Sequence, residues 1–163
     1  MIVKATIDQI PVIQELAKKS WKSTYSDILS KDQLDYMMEM MYSGEALKKH
    51  FENPDYQYYL ISENDVYFGF IGFQLHYEKE TTKLHRIYFL KKSQGKGLGK
   101  KTVCFLKNEV KKFGDKRIIL TVNKNNNARK FYESQGFRVY DEAIFDIGNG
   151  YIMDDYLMEF IIK

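Results

Sequence analysis

Arg86-Ile87-Tyr88-Phe89-Leu90-Lys91-Lys92-Ser93-Gln94-Gly95-Lys96-Gly97-Leu98-Gly99-Lys100 runs β-branched and aromatic residues straight into a turn with glycine at alternate positions. The apolar run reads as a strand. After the turn, Leu98, Thr102, Val103, Leu106, Val110 and Phe113 fall on one face of a helix that Gly114 can end in a left-handed conformation. Without side chains at Gly95, Gly97 and Gly99, backbone N–H groups can converge on one concavity, where the helix also presents its positive dipole end. A diphosphate is the natural occupant.

Two phosphate-binding motifs fail on this stretch. A Walker A loop needs glycine at position 94 and Ser or Thr at position 101, where Gln94 and Lys101 stand. A dinucleotide fingerprint needs G-x-G-x-x-G directly after a first parallel strand, but Gly95 to Lys100 supplies G-x-G-x-G in mid-chain.

Upstream, Ile2 to Ala5 reads as a short strand, followed by a helix that Asp8 and Pro11 can open. Ile10, Ile13, Leu16, Ala17, Trp21 and Tyr25 form its apolar stripe. Further helices are expected over Lys31 to Met41 and from Gly44 to Phe51, the latter capped by Ser43 and stopped by Asn53-Pro54-Asp55. Tyr58 to Ser62, Val66 to Tyr77 and Lys83 to Leu90 then read as an antiparallel meander turning at Glu63-Asn64-Asp65 and Lys79-Glu80-Thr81.

Downstream, Ile118 to Val122 is a nearly unbroken apolar run, as expected of a strand covered on both faces and parallel to the one ending at Leu90. A short helix from Asn126 to Ser134 closes at Gly136, and two last strands flank Gly148-Asn149-Gly150. The class is α/β, and 163 residues with 44% hydrophobic content suit one domain over 1–163.

The single cysteine, Cys104, excludes an internal disulfide and suits a cytoplasmic location. It falls among apolar helix positions and reads as buried. No apolar run is long enough to span a membrane. The scattered His50, His76 and His85 lack metal spacing, so no metal is expected. A net charge of +3 does not call for nucleic acid, and the lysines bunched between Lys91 and Lys116 are explained by the anion cradle they surround.

Gln94, Gly97 and Gly99 match the Gln/Arg-x-x-Gly-x-Gly/Ala signature of the GNAT superfamily of N-acetyltransferases. Asn125-Asn126-Asn127-Ala128-Arg129-Lys130-Phe131-Tyr132-Glu133-Ser134-Gln135-Gly136-Phe137 resembles that family's later N-x-x-A…F-Y-E-x-x-G-F block. The resemblance implies one mixed, mostly antiparallel sheet of seven strands with a splayed central parallel pair, flanked by helices. It implies acetyl-CoA as co-substrate, with Ile87, Tyr88 and Phe89 lending backbone groups to the pantetheine arm. Gln94, Gly95, Lys96, Gly97, Leu98, Gly99 and Lys100 would hold the pyrophosphate, and Asn125 or Asn127 would contact the cofactor arm.

Tyr132 is the implied catalytic acid: a phenol with a pKa of about 10 keeps its proton at neutral pH and can give it to the leaving thiolate. An amine acceptor must in turn lose a proton, and His85, Glu80 and the acids after Phe137 are candidates to take it. Trp21-Lys22-Ser23-Thr24-Tyr25, with Asp146 to Asp155, is similar to the branch containing bacterial spermine/spermidine acetyltransferases. On that likeness Trp21, Tyr25, Asp154 and Asp155 are substrate-site candidates and a small amine or polyamine is the acceptor. Protein N-terminal or lysine acetylation and a non-catalytic acyl-CoA sensor are the alternatives. Sheet edges of this fold pair, so a homodimer is a further expectation.

Overall fold

The computed structural model describes residues 1–163 and contains one seven-stranded sheet of order β1-β2-β3-β4-β5-β7-β6. The strands are β1 (Ile2–Lys4), β2 (Tyr56–Glu63), β3 (Val66–Glu78), β4 (Thr81–Phe89), β5 (Arg117–Asn123), β6 (Arg138–Gly148) and β7 (Tyr151–Ile161). All neighbours are antiparallel except β4 and β5. The helices are α1 (Ile10–Tyr25), α2 (Lys31–Tyr42), α3 (Gly44–Glu52), α4 (Leu98–Lys112) and α5 (Ala128–Ser134).

Local chemistry sets the boundaries. Pro11 sits in the first turn of α1, where its missing N–H costs no bond. The Ser30 and Ser43 hydroxyls accept from the Gln33 and Ala46 N–H groups and start α2 and α3. Asn64 and Asp65 both take positive φ, as do Asn149 and Gly150, giving the tight reversals that join β2 to β3 and β6 to β7.

Two cores cover the sheet. On one face α1, α2 and α3 bury Ile13, Trp21, Met37, Leu47, Tyr58 and Phe70. On the other, α4 and α5 bury Ile71, Leu84, Val103, Leu106, Ile118, Leu120 and Met158. Two expectations about α4 are corrected. Cys104 is exposed and Phe113 is about half exposed, because the buried stripe is Thr102, Val103, Leu106 and Val110. Cys104 lies a further 100° around the helix from Val103, and Phe113 is already the C-cap residue.

The centre of β4 departs from simple alternation. The β3–β4 register steps between Gly72 opposite Arg86 and Phe73 opposite Leu84, so His85 is an extra residue. Leu84 therefore enters the α4 core, while His85 stacks on Tyr56 and Arg86 lies over the Tyr42 ring, both in the α1–α3 core.

Candidate active site

Beta-strands 4 and 5 pair only where Thr81–Lys83 meets Arg117–Ile119, and beyond that they diverge. The gap opens into a cleft of about 760 Å³. Its walls are Leu84 to Phe89, Leu120 to Val122, the β5–α5 loop with Asn125, Asn126 and Asn127, and Ser23, Thr24, Tyr25 and Ile28 from the end of α1 and the turn after it. Tyr132 projects from α5, and the glycine turn with Gln94, Gly95, Gly97, Leu98, Gly99 and Lys100 closes one end.

The turn presents unpaired donors. The N–H groups of Gly95, Lys96, Gly97, Leu98, Gly99 and Lys100 have no acceptor within the protein, and Lys101 is the first to find one, on the Gly97 carbonyl at 3.2 Å. Backbone donors rarely stay unpaired unless water or a ligand takes them. The three glycines have different causes. Gly95 and Gly97 take φ of 85° and 73° with open space where a Cβ would stand, so conformation selects them. Gly99 is helical, and a Cβ there would lie 3.2 Å from the Phe131 ring. A glycine at that position lets α4 and α5 approach closely beneath the turn.

A strand end open on one edge and a row of free N–H groups at a helix start fit a pantetheine arm and a diphosphate respectively. Lys91 and Lys100 line this end. Lys96, expected at the pyrophosphate by its side chain, instead reaches Glu63 at 3.8 Å and sits over the Phe68 ring at 4.7 Å. The turn directs it toward β3, outside the cleft lining, leaving only its N–H for the cradle.

In the loop after β5, the Asn123 side chain accepts from the Asn125 N–H at 2.9 Å, and that of Asn126 accepts from Ala128 at 2.9 Å. These two amides hold the loop, while those of Asn125 and Asn127 remain exposed. Tyr132 is 8% exposed, between Phe131 and Phe137. Burial raises its phenol above the usual value, with the nearby Tyr25 adding to the effect, so it remains protonated across the neutral range.

His85 lines the cleft, and its Nε2 stands 3.1 Å from the Gln74 Oε1. An amide oxygen only accepts, so Nε2 carries the proton and Nδ1 is bare. Burial, followed by Lys83, Arg86 and His50, lowers this ring to about 3, and it stays neutral. Arg86 is buried without a carboxylate: it donates to the Tyr58 hydroxyl at 2.6 Å and lies 4.5 Å from the Tyr42 ring centre.

The remaining candidates separate. Tyr25 lines the cleft and its hydroxyl meets that of Tyr88 at 3.2 Å. Trp21, one turn earlier, is 2% exposed and packs edge-on against Tyr25 and Tyr42 at 5.3 and 5.4 Å, so it is a core residue behind the wall. Glu80 occupies the β3–β4 turn at the closed end of the strand pair and pairs with Lys116 at 3.5 Å, away from the cleft. Asp154 joins Glu142 in holding Lys124, at 3.1 and 2.8 Å. Asp155 stands opposite Asn123, on the face of β7 whose Met153 packs in the α1–α3 core. Arg86, Thr121 and Asn126 also line the cleft and escaped sequence reading, since no local pattern marks them.

A family model described as the Acetyltransferase (GNAT) domain matches residues 25–152. The spermidine N(1)-acetyltransferase of Thermoplasma acidophilum is 27% identical over 158 residues, covering 94% of each chain. The crystal structure of the PaiA N-acetyltransferase of that organism in complex with coenzyme A superposes with a TM-score of 0.84 at 25% identity, covering 99% of this chain and 98% of that one. The Escherichia coli ribosomal-protein-S18-alanine N-acetyltransferase shares the fold, with a TM-score of 0.75 at 18% identity, covering 99% of this chain and 93% of that one. The cradle, the splayed pair and the matched domain agree: the chain belongs to the GNAT family of acetyltransferases, with acetyl-CoA as its donor.

Proposed function

We propose that this chain moves the acetyl group of acetyl-CoA directly onto a primary amine of a small di- or polyamine. The observation that carries direct transfer is the position of the Tyr132 phenol in the cleft between the cradle and α1, with Cys104 on the outer face of α4. The acceptor class is supported by the likeness to a spermidine N(1)-acetyltransferase along nearly the whole of both chains.

The free N–H groups from Gly95 to Lys100 bind the pyrophosphate, and the backbone of Ile87, Tyr88 and Phe89 pairs with the pantetheine arm as an added strand would. Asn125 and Asn127 offer free amides to the same arm. Tyr132 then gives its proton to the departing sulfur, a transfer that contributes ~10²-fold or more to rate. As the amine nitrogen bonds the acetyl carbon and the carbon–sulfur bond breaks, the nitrogen's extra proton passes through water in the cleft to the Tyr132 oxygen, restoring the phenol, since His85 is too weakly basic to store it.

The test follows free thiol release from acetyl-CoA with spermidine, spermine, short diamines and N-terminal peptides. The expected result is a kcat/KM for a polyamine at least tenfold above that for any peptide. A peptide preference, or no transfer to any amine, overturns the proposal.

A further inference from the structure

Three carboxylates are more than nine-tenths buried: Asp115, Asp155 and Glu159. Asp115 is fully answered, accepting from the His76 backbone N–H at 2.8 Å, from His76 Nδ1 at 2.8 Å and from the Thr82 hydroxyl at 2.7 Å. Glu159 is clamped by Arg117 and Arg138 at 2.9 and 2.8 Å. Asp155, 6% exposed, has no hydrogen bond or ion pair on its side chain, and its Oδ1 is sealed from solvent. A buried unpaired carboxylate is costly, and folds keep such a group where a ligand answers it.

Its surroundings indicate which ligand. Asp155 pairs across the sheet with Asn123 on β5 and Ala143 on β6, and neither brings a charge. Asp154 adjoins it on β7, and Tyr25 of α1 and Lys83 of β4 are near enough to interact with it electrostatically. Lys83, the one cation in that set, directs its ammonium over the Tyr77 ring at 4.9 Å and leaves the carboxylate unpaired. Tyr25 is also a wall of the donor cleft. Above this region α2 is tied to the β6–β7 hairpin by Gln33 to the Ile152 carbonyl at 3.1 Å and Tyr36 to the Ile147 carbonyl at 2.8 Å. Asp155 lies just outside the cleft lining: its cross-strand partner Asn123 holds the loop whose Asn125, Asn126 and Asn127 form a wall of the cleft. The cleft lining itself contains no carboxylate.

We infer that Asp155 is the anchor of an ammonium subsite for the acceptor, in which one nitrogen of a cationic alkylamine pairs with the Asp155 carboxylate while the rest of the chain reaches back past the Asn123 loop to the cleft. The inference rests on the cationic-amine reading of the function. It differs from a general acidic attraction in assigning the pairing to one residue. Asp154 and Glu142 are already occupied by Lys124.

Asp155→Asn keeps the shape and removes the charge, and Asp155→Glu restores it at a longer reach. Calorimetric titration of spermidine into the protein saturated with coenzyme A reads the subsite without turnover, and steady-state kinetics read it in the reaction. The expected result is at least a tenfold loss of spermidine affinity and a matching rise in its KM for Asp155→Asn. Partial recovery is expected in Asp155→Glu, with coenzyme A affinity within twofold throughout. The spermidine KM of the unsubstituted protein should also rise as pH falls below about 6, a dependence absent from Asp155→Asn. Spermidine binding and KM unchanged in Asp155→Asn overturn the inference while leaving amine acetylation standing. Spermidine bound through Asp155 without acetyl transfer supports the subsite and sinks the catalytic reading instead. No spermidine binding to the unsubstituted protein overturns it as well.

Discussion

Replacing Asp155 by asparagine is expected to stabilise the protein. Burial, with a smaller contribution from Asp154, raises this carboxyl from 3.8 to about 6, while Lys83 acts the other way. A carboxyl whose folded value exceeds its unfolded value favours folding when protonated and penalises it when ionised. The penalty is absent well below the unfolded value, grows between the two values and is complete above the folded one. At about 1.4 kcal/mol per tenfold in proton affinity, the full penalty is about 3 kcal/mol at neutral pH. It is about half that at pH 5 and nearly gone at pH 4. For a chain of this size each kcal/mol moves the melting temperature by about 2–4 °C, so Asp155→Asn should melt about 6–12 °C higher at pH 7.5. Parallel thermal melts of both proteins at pH 4.5, 6 and 7.5 provide the check. An asparagine variant no more stable at pH 7.5, or one whose advantage does not shrink on acidification, would refute the view that this carboxylate is held unpaired and charged.

Asp115 is the contrast: its carboxyl is held below the usual value by the His76 N–H groups and the Thr82 hydroxyl. Asp115→Ala should therefore lower stability by ~2–4 kcal/mol in urea melts. Gly97→Val forces a β-branched residue into φ of 73° at the cradle. It should weaken coenzyme A at least tenfold in calorimetry and cost the fold ~1–3 kcal/mol through backbone strain alone, since space is open there. Gly99→Val should lower the melting temperature for a different reason, because its side chain meets the Phe131 ring. Tyr132→Phe should reduce kcat by ~10²-fold while leaving coenzyme A affinity unchanged, and an unaltered kcat would remove the acid role.

Most of the fold was legible because the deciding signals are local. Positive-φ turns at Asn64-Asp65 and Asn149-Gly150, the serine caps and the apolar run at Ile118 each involve only neighbours in sequence. The donor half of the site was legible for the same reason, since a turn of alternate glycines before a helix is a contiguous object. The proposed acceptor half draws on α1, β4, β5 and β7, and its members become meaningful only by what they lack. Nothing in Asp154-Asp155 tells which one is met by Lys124 and which is left alone. Likewise the burial of Arg86 among tyrosines depends on three other elements. Helical periodicity alone put Cys104 inside, but the sheet selects a stripe of the helix narrower than the set of apolar residues on it.

The extra residue at His85 acts on β4 as a change of phase. Counting by twos, Leu84 before it lies under α4, while Arg86 and Tyr88 after it lie under α1. A deletion of this one residue would leave composition and length almost untouched. It would leave Leu84 under α4 and Arg86 under α1 in plain alternation, but remove the ring stacked on Tyr56 and the bend that a bulge gives its strand. The bulge thus falls directly after Lys83, the last residue of β4 paired with β5, and the bend it adds coincides with the point where the two strands part to form the cleft.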